Sequence, residues 1–333
     1  MVSVISTRRR SPVLTPSSLA CLSTLPTINL TAGCLHDCAY CYIRAYRNYP
    51  GAGRIILYED TLERLKAELR QVSIKPRAVY FSPSSDLFQP AEQLLELTHS
   101  ILQLLFAEGV GVAFLTRGLI PDETLELLVE HRALVRAQIG LLTIDEGIAQ
   151  AFEPHAARPR DRLWQLAALI EGGIAAEARI DPILPNLTDS EEALDRHFEA
   201  LEQMGVKRAA AGVLFLRPGI RYWLRRDVRD ASQLSSLLHA YEQAEDTHMR
   251  GSPYPVQSAP AEVRRAILER VRAAALTHGV ELRVCACKNA DIASGTCNIA
   301  GTWPSRVPSP RLPCPCGLAR LSTKIPSSSR VGK

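Results

Sequence analysis

Short runs of β-branched and apolar residues alternate with longer amphipathic stretches through the first two thirds of the chain. The short runs predict strands at Thr27–Thr31, Ala78–Ser82, Val110–Thr116, Ala137–Thr143, Ala176–Ile180 and Ala209–Leu216. The stretches between them predict helices at Thr61–Gln71, Glu92–Ala107, Asp122–His131, Arg162–Glu171 and Ser190–Met204. Because strands and helices alternate at intervals of about 30 residues, as βαβ units do, we expect a parallel sheet.

The second predicted helix shows the pattern most clearly. Its apolar side chains recur three and four residues apart, at Leu94, Leu97, Thr98, Ile101 and Leu105. Polar capping residues and glycines stand where several of the helices should begin and end, for example Asp60 and Gly205. The fold class is therefore α/β. With six βα units instead of eight, the chain would form a partial parallel barrel, and its active site would lie at the C-terminal ends of the strands.

The pattern changes after Arg217. A basic, aromatic connector, RPGIRYWLRRDVRD, precedes two predicted helices, Ser232–Ala244 and Ala261–His278, and a short predicted strand, Val280–Val284. We therefore divide the chain into a flexible lead-in (1–24), a partial barrel (25–220), a helical extension (221–284) and a Cys-rich C-terminal segment (285–333). Much of that last segment is rich in Pro, Ser and basic residues and is expected to be poorly ordered.

Composition places the chain among folded proteins. Of its 333 residues, 46% are hydrophobic and 22% charged, which excludes a small disulfide scaffold and wholesale disorder. The net charge of +4 is uneven, because residues 1–20 and 301–333 contain basic but no acidic residues. Basic ends suit a phosphate-bearing partner such as DNA, or are simply solvated tails. No run approaches the ~20 apolar residues of a membrane span, and with no export signal we expect a cytoplasmic protein.

Nine cysteines occur in clusters rather than scattered through the chain. Cys34, Cys38 and Cys41 follow the first predicted strand in the string AGCLHDCAYCY. Three thiolates from one loop can bind three corners of a cubic iron–sulfur cluster and leave the fourth iron without a protein ligand. A zinc site completed by His36 is the alternative.

A second group of cysteines lies near the end of the chain, at Cys285, Cys287 and Cys297, with Cys314 and Cys316 further on. It predicts an auxiliary iron–sulfur cluster or a structural zinc site, with reduced, unligated thiols as the alternative. Cys21 stands alone in the sequence.

The C-x-x-x-C-x-x-C loop, with an aromatic residue before its third cysteine, resembles the signature of the radical S-adenosylmethionine (SAM) superfamily. GCLHDCAYCYIRAY resembles the spore photoproduct lyase-like branch, as do SPSSDLFQPAE, FLTRGLI, TIDEGIAQAFEP and RIDPILPNLTDS in the same order. The resemblance covers roughly residues 25–220. It implies that the three cysteines hold a 4Fe-4S cluster, and that SAM binds the fourth iron. One electron, from a reductant such as flavodoxin or ferredoxin, would then yield a 5′-deoxyadenosyl radical.

The resemblance also implies roles for single residues. Tyr40 and Tyr42, which flank Cys41, would pack on the adenine or line the substrate side. Six further residues would contact the cofactor or the substrate: Ser84, Ser85, Asp86, Arg117, Thr143 and Arg179. Arg117 would bind the carboxylate of the cofactor. Each is also compatible with an ordinary loop or salt-bridge role.

One position departs from the lyases of this branch. These lyases carry a cysteine three residues before the aspartate of the serine-rich loop, and that thiol returns hydrogen to the product radical; here the position is Pro83. A C-terminal thiol could replace it if that segment folds over the barrel mouth. The branch implies a nucleic-acid lesion or modified base as substrate. A peptide or small-molecule substrate, and a zinc-binding nucleic-acid module without catalysis, are the alternatives.

Overall fold

A computed structural model describes residues 2–17, 19–248, 255–293, 296–297 and 299–303. The strands, numbered β1 to β14 in chain order, are Ser3–Thr7, Thr15–Pro16, Pro26–Ile28, Thr31–Ala32, Arg54–Tyr58, Ala78–Phe81, Gly111–Thr116, Val135–Gly140, Ala175–Ile183, Arg208–Val213, Phe215–Leu216, Glu245–His248, Pro255–Ser258 and Glu281–Val284. The α-helices, numbered α1 to α9, are Thr61–Gln71, Glu92–Ala107, Asp122–Glu130, Glu146–Phe152, Pro159–Glu171, Glu191–Gln203, Ile220–Asp227, Ala231–His239 and Ala261–Thr277.

An eight-stranded sheet forms the centre of the fold, in the order β14-β10-β9-β8-β7-β6-β3-β2. Its neighbouring strands run parallel except at one edge, where β2 pairs antiparallel with β3. The expected α/β fold with an open, mostly parallel sheet is therefore confirmed. Since the strands run the same way, their C-terminal ends lie along one edge of the sheet, and the loops that follow them meet there.

The strands of the sheet centre are buried because helices cover them. Every residue of β6 is buried, and β7 is buried at all positions except Leu115. Helix α2 packs Leu94, Ile101 and Leu105 into the same core, as its sequence spacing predicts. Near-continuous apolar strands of this kind are typical of parallel sheets with both faces covered.

The N-terminal lead-in is not flexible over its whole length, contrary to expectation. Ser3–Thr7 pairs in parallel with Arg54–Tyr58, and Thr15–Pro16 forms the edge strand of the main sheet. The burial of Arg9, whose side chain lies over the Tyr58 ring at 4.4 Å, anchors the segment between these strands. Pairing with distant residues, rather than local pattern, gives the lead-in its structure.

Other differences concern boundaries and short elements. The first predicted strand is split into β3 and β4, and the predicted strand at Ala137–Thr143 begins at Val135 and ends at Gly140. The extension contains two strands that the sequence did not predict, because β12 and β13 form an antiparallel sheet with β11, whereas β14 matches the strand predicted at Val280–Val284 and joins the main sheet. Within the described ranges, none of the helices combines the length and apolar character that crossing a bilayer requires.

Candidate active site

A cavity of about 540 Å³ opens at the C-terminal ends of the strands, and we call it the strand-end cavity. Three cysteines from the loop after β4 line it: Cys34, Cys38 and Cys41, called here the first thiol set. Of the residues singled out in the sequence that the structure describes, all line this cavity except Thr143. The Thr143 hydroxyl accepts a hydrogen bond from the Asp145 backbone N–H just before α4, and its contact with a cofactor stays a prediction.

The loop that carries the first thiol set is held in a tight, specific shape. Gly33 adopts φ +83°, and a Cβ there would lie 2.7 Å from the Pro50 side chain, so the turn into Cys34 requires glycine. Asp37 also has positive φ, at 49°, and its carboxylate accepts from the Gly53 backbone N–H at 2.6 Å. These contacts fold the loop back on itself so that all three thiols face one space.

The thiols of the first set are free, and burial raises the pKa of each of them. The neutral thiol is therefore the favoured form while only protein surrounds it. A thiolate in this position needs a strong local cation, and a bound metal is the usual source because it deprotonates its thiol ligands.

Asp86 organises the loop after β6. Its carboxylate accepts from the Thr116 hydroxyl at 2.7 Å and from the Arg117 backbone at 2.8 Å, and it lies 3.3 Å from His36 Nε2. Burial raises the pKa of Asp86, but the His36 imidazole and the hydrogen bonds outweigh it and hold the pKa below its ordinary value. The partners of the Asp86 carboxylate come from other loops around the cavity. Asp86 therefore holds three of these loops together.

Arg117 shares a buried ion-pair network with a carboxylate that sequence reasoning missed. Glu153 is fully buried and accepts from Arg117 Nε at 2.8 Å and from Arg162 Nη2 at 2.6 Å. The Tyr40 hydroxyl donates to the same carboxylate. Gly140 leaves room for this arrangement, because a Cβ there would come within 2.9 Å of the Arg117 side chain. Tyr40 and Arg117 are thus fixed by Glu153 at the cavity wall.

A second charged group lies on the β9 side of the cavity. Arg179 binds Asp181 through Nη2 at 2.6 Å, and Lys288 lies 2.5 Å from the same carboxylate. Burial raises the pKa of Asp181, while Lys288 and Arg179 lower it to a final value of about 2. Arg179 Nη1 is buried without a hydrogen-bond partner among the described residues. Arg179 therefore carries a cationic donor at the cavity that is not satisfied by the described residues.

The C-terminal cysteines fold over this mouth and line the same cavity. Cys285 and Cys297 are buried, and Cys21 and Cys287 pack against them. The sequence suggested that Cys21 is isolated. In the structure, however, the lead-in places Cys21 beside the C-terminal cysteines. We call Cys21, Cys285, Cys287 and Cys297 the second thiol set. Cys314 and Cys316 lie outside the described residues.

A comparison with protein-family models matches residues 28–213 to the radical SAM superfamily. The chain belongs to the radical SAM superfamily. The match spans more than half of the chain and includes the first thiol set and the loops after β6 to β9. This membership displaces the interpretation of the chain as a zinc-binding module without catalysis.

The curated relatives that the chain matches are distant. An uncharacterized protein of Mycobacterium tuberculosis is 28% identical over 206 residues, which cover 59% of this chain and 61% of that protein. An uncharacterized protein of Acidianus two-tailed virus is 26% identical over 229 residues, covering 62% of this chain and 76% of that protein. The match thus spans about three fifths of the length of the mycobacterial relative.

Solved structures share the fold of this radical SAM protein. Spore photoproduct lyase complexed with dinucleoside spore photoproduct matches 84% of this chain and 81% of its own, with a TM-score of 0.63 and 15% identity. A variant of that lyase with bound AdoMet and the same dinucleoside gives a TM-score of 0.65 at 14% identity and the same coverage. The resemblance to the spore photoproduct lyase-like fold is therefore confirmed.

The residues present fit the cluster that the radical SAM superfamily implies. No three His, Cys, Asp or Glu side chains among the described residues converge on a point where one metal ion could sit. The ligands of a cubic cluster bind different iron atoms, so they face a common space rather than a common point. The first thiol set has that arrangement, with serine hydroxyls and arginines on the same walls for a charged cofactor.

Proposed function

We propose that the protein binds a 4Fe-4S cluster through Cys34, Cys38 and Cys41 and uses SAM to act on a nucleic-acid lesion or modified base. The observation that carries the proposal is the gathering of these thiols with Ser84, Ser85 and other polar residues around one cavity at the strand ends. Fold likeness to a lyase that binds a dinucleoside photoproduct supports the substrate class.

Bound there, the cluster would supply the one electron that cleaves SAM to a 5′-deoxyadenosyl radical, drawn from a cytoplasmic reductant such as flavodoxin or ferredoxin. The protein's own residues orient and protect that chemistry. Ser84 would offer its hydroxyl to the methionyl group or ribose. The Ser85 hydroxyl already donates to the Gly33 carbonyl and accepts from Gln89 Nε2, so it holds the loops of the cavity together. Tyr42, whose hydroxyl donates to the Pro83 carbonyl, forms part of the cavity wall. Tyr40 and Arg117, fixed by Glu153, form another part of the cavity wall.

A basic, aromatic surface next to the cavity supports a nucleic-acid partner. Helix α7 packs on the 3₁₀ turn Tyr42–Ala45 that follows Cys41. The exposed Arg226 side chain lies over the Trp223 ring at 4.3 Å, and Arg44, which is buried and paired with Asp227, lies over the same ring at 4.2 Å. Tyr222 beside them is 61% exposed. Phosphates and unstacked bases bind surfaces of this composition through charge and stacking.

Charge reversal on this surface tests the nucleic-acid proposal. Arg225 and Arg229 are exposed and have no ion-pair partner among the described residues. We expect the double variant Arg225→Glu/Arg229→Glu to weaken binding of a single-stranded oligonucleotide by at least about tenfold and to reduce its salt dependence, since two phosphate contacts are lost. Fluorescence anisotropy across a salt series measures both. Arg272→Glu, on α9, is the control, and equal weakening by it would contradict a specific surface.

Electron paramagnetic resonance of the anaerobically reconstituted, reduced protein tests the reaction class. We expect a cluster signal that changes when SAM is added, because SAM would bind the iron that lacks a protein ligand. Iron and acid-labile sulfide per chain calibrate the signal. A cluster whose spectrum is indifferent to SAM, or zinc without sulfide, would contradict the proposed function.

A further inference from the structure

We propose that Cys21, Cys285, Cys287 and Cys297, the second thiol set, hold a second iron–sulfur cluster with one thiolate from each cysteine. These residues come from the lead-in, from the end of β14 and from the turn beyond it, yet they line one wall of the strand-end cavity. This site goes beyond the proposed function, which uses only the first thiol set.

The four side chains form a contiguous group. Cys285 and Cys297 are 2% and 1% exposed and belong to one buried cluster, against which Cys21 and Cys287 pack. The Cys287 thiol contacts the side chains of both Cys285 and Cys21. Cys21 therefore supplies a fourth thiol that the C-terminal segment alone does not provide within the described residues.

Two cationic side chains lie beside the second thiol set. The buried Arg179 guanidinium contacts the Cys297 side chain, and its Nη1 has no other acceptor among the described residues. Lys288, next to Cys287 in sequence, adds a second cation close by, while Asp181 balances only one of the two. Thiolates or cluster sulfides facing Arg179 would satisfy its free donor, as second-shell hydrogen bonds to cluster sulfurs do.

The location favours a cluster over a single zinc ion. Four thiolates can bind either an iron–sulfur cluster or a structural zinc ion. The second thiol set lines the same cavity as the first, however, and only a redox-active group there could exchange electrons with the first cluster. With four thiolate ligands, the second cluster would have no open iron for substrate. Its chemistry would be one-electron exchange with an external reductant and with the first cluster.

A variant without the cysteines of the first thiol set allows metal binding at the second thiol set to be measured separately. We expect Cys34→Ala/Cys38→Ala/Cys41→Ala, reconstituted anaerobically, to retain iron and acid-labile sulfide and a cluster signal that does not respond to SAM. Adding Cys21→Ser to this variant should remove both iron and sulfide. Adding Cys314→Ser instead, at a cysteine outside the proposed set, should leave them unchanged.

A further variant separates loss of ligand from loss of fold. Cys21→Ser alone should keep the SAM-responsive signal of the first cluster while losing about half of the iron, if both sites hold clusters of equal size. The proposal is overturned if the triple variant is folded by circular dichroism but binds no iron, if it binds zinc instead, or if Cys314→Ser rather than Cys21→Ser removes the cluster. Failure of the SAM response in the unmodified protein would count against the proposed function and not against this site.

Discussion

Replacing Cys38 by alanine is expected to reduce SAM cleavage to the background level of cluster-free protein. Cys38 lies at the centre of the first thiol set and is buried at the cavity wall. Without its thiolate, only two of the three protein ligands remain, so the cluster cannot be held with one iron open to SAM. Production of 5′-deoxyadenosine with dithionite as reductant, measured by liquid chromatography, gives the result directly.

The matched control for this variant is Cys314→Ala, which removes a thiol from a cysteine assigned to neither site. It should cleave SAM at the rate of the unmodified protein. An unchanged cleavage rate in Cys38→Ala would contradict the assignment of the first thiol set as the cluster ligands.

Glu153→Gln is expected to lower the free energy of unfolding by about 3–5 kcal/mol, the cost of leaving buried charges without their partner. The Glu153 carboxylate is fully buried between Arg117 and Arg162. Burial raises its pKa, but the two guanidinium groups outweigh that effect and keep the carboxylate ionised. The neutral amide has nearly the same shape and cannot balance either arginine. Urea unfolding followed by circular dichroism measures the change.

An exposed carboxylate provides the control for this measurement. Glu146 lies 3.8 Å from Arg160 with both side chains more than half exposed, so Glu146→Gln should change the stability by less than about 1 kcal/mol. A similarly small change in Glu153→Gln would mean that the buried network contributes little to stability.

Local pattern was sufficient for much of the fold. Helices α1 and α2 begin and end at the predicted residues because their apolar spacing is regular and uninterrupted. The strand Ser3–Thr7 could not be predicted in the same way. Its sequence, SVIST, is short and more than half polar, and it becomes a strand by pairing with Arg54–Tyr58, which lies far away in the sequence. Such pairing is a property of the tertiary structure.

The residues of the candidate site differ in the same way: some are recognisable from local sequence, and others only from contacts between distant residues. The first thiol set is visible in the sequence because one loop supplies all three cysteines. Glu153 and Cys21 were missed because their importance comes from distant partners, namely Arg117 for the carboxylate and the C-terminal cysteines for the thiol. Arg179 was found from its place in a strand, but its partner Asp181, two residues on, is recognisable only from the folded chain.

The meeting of Cys21 with Cys285 and Cys297 constrains the order of events during biosynthesis. The ribosome completes the central strands well before it reaches the last of these cysteines, and N-terminal regions generally fold first. The wall of the strand-end cavity that carries the second thiol set therefore stays open until β14 joins the sheet edge beside β10. The first thiol set borders the same cavity, so we expect cluster insertion there to be easiest before β14 joins the sheet.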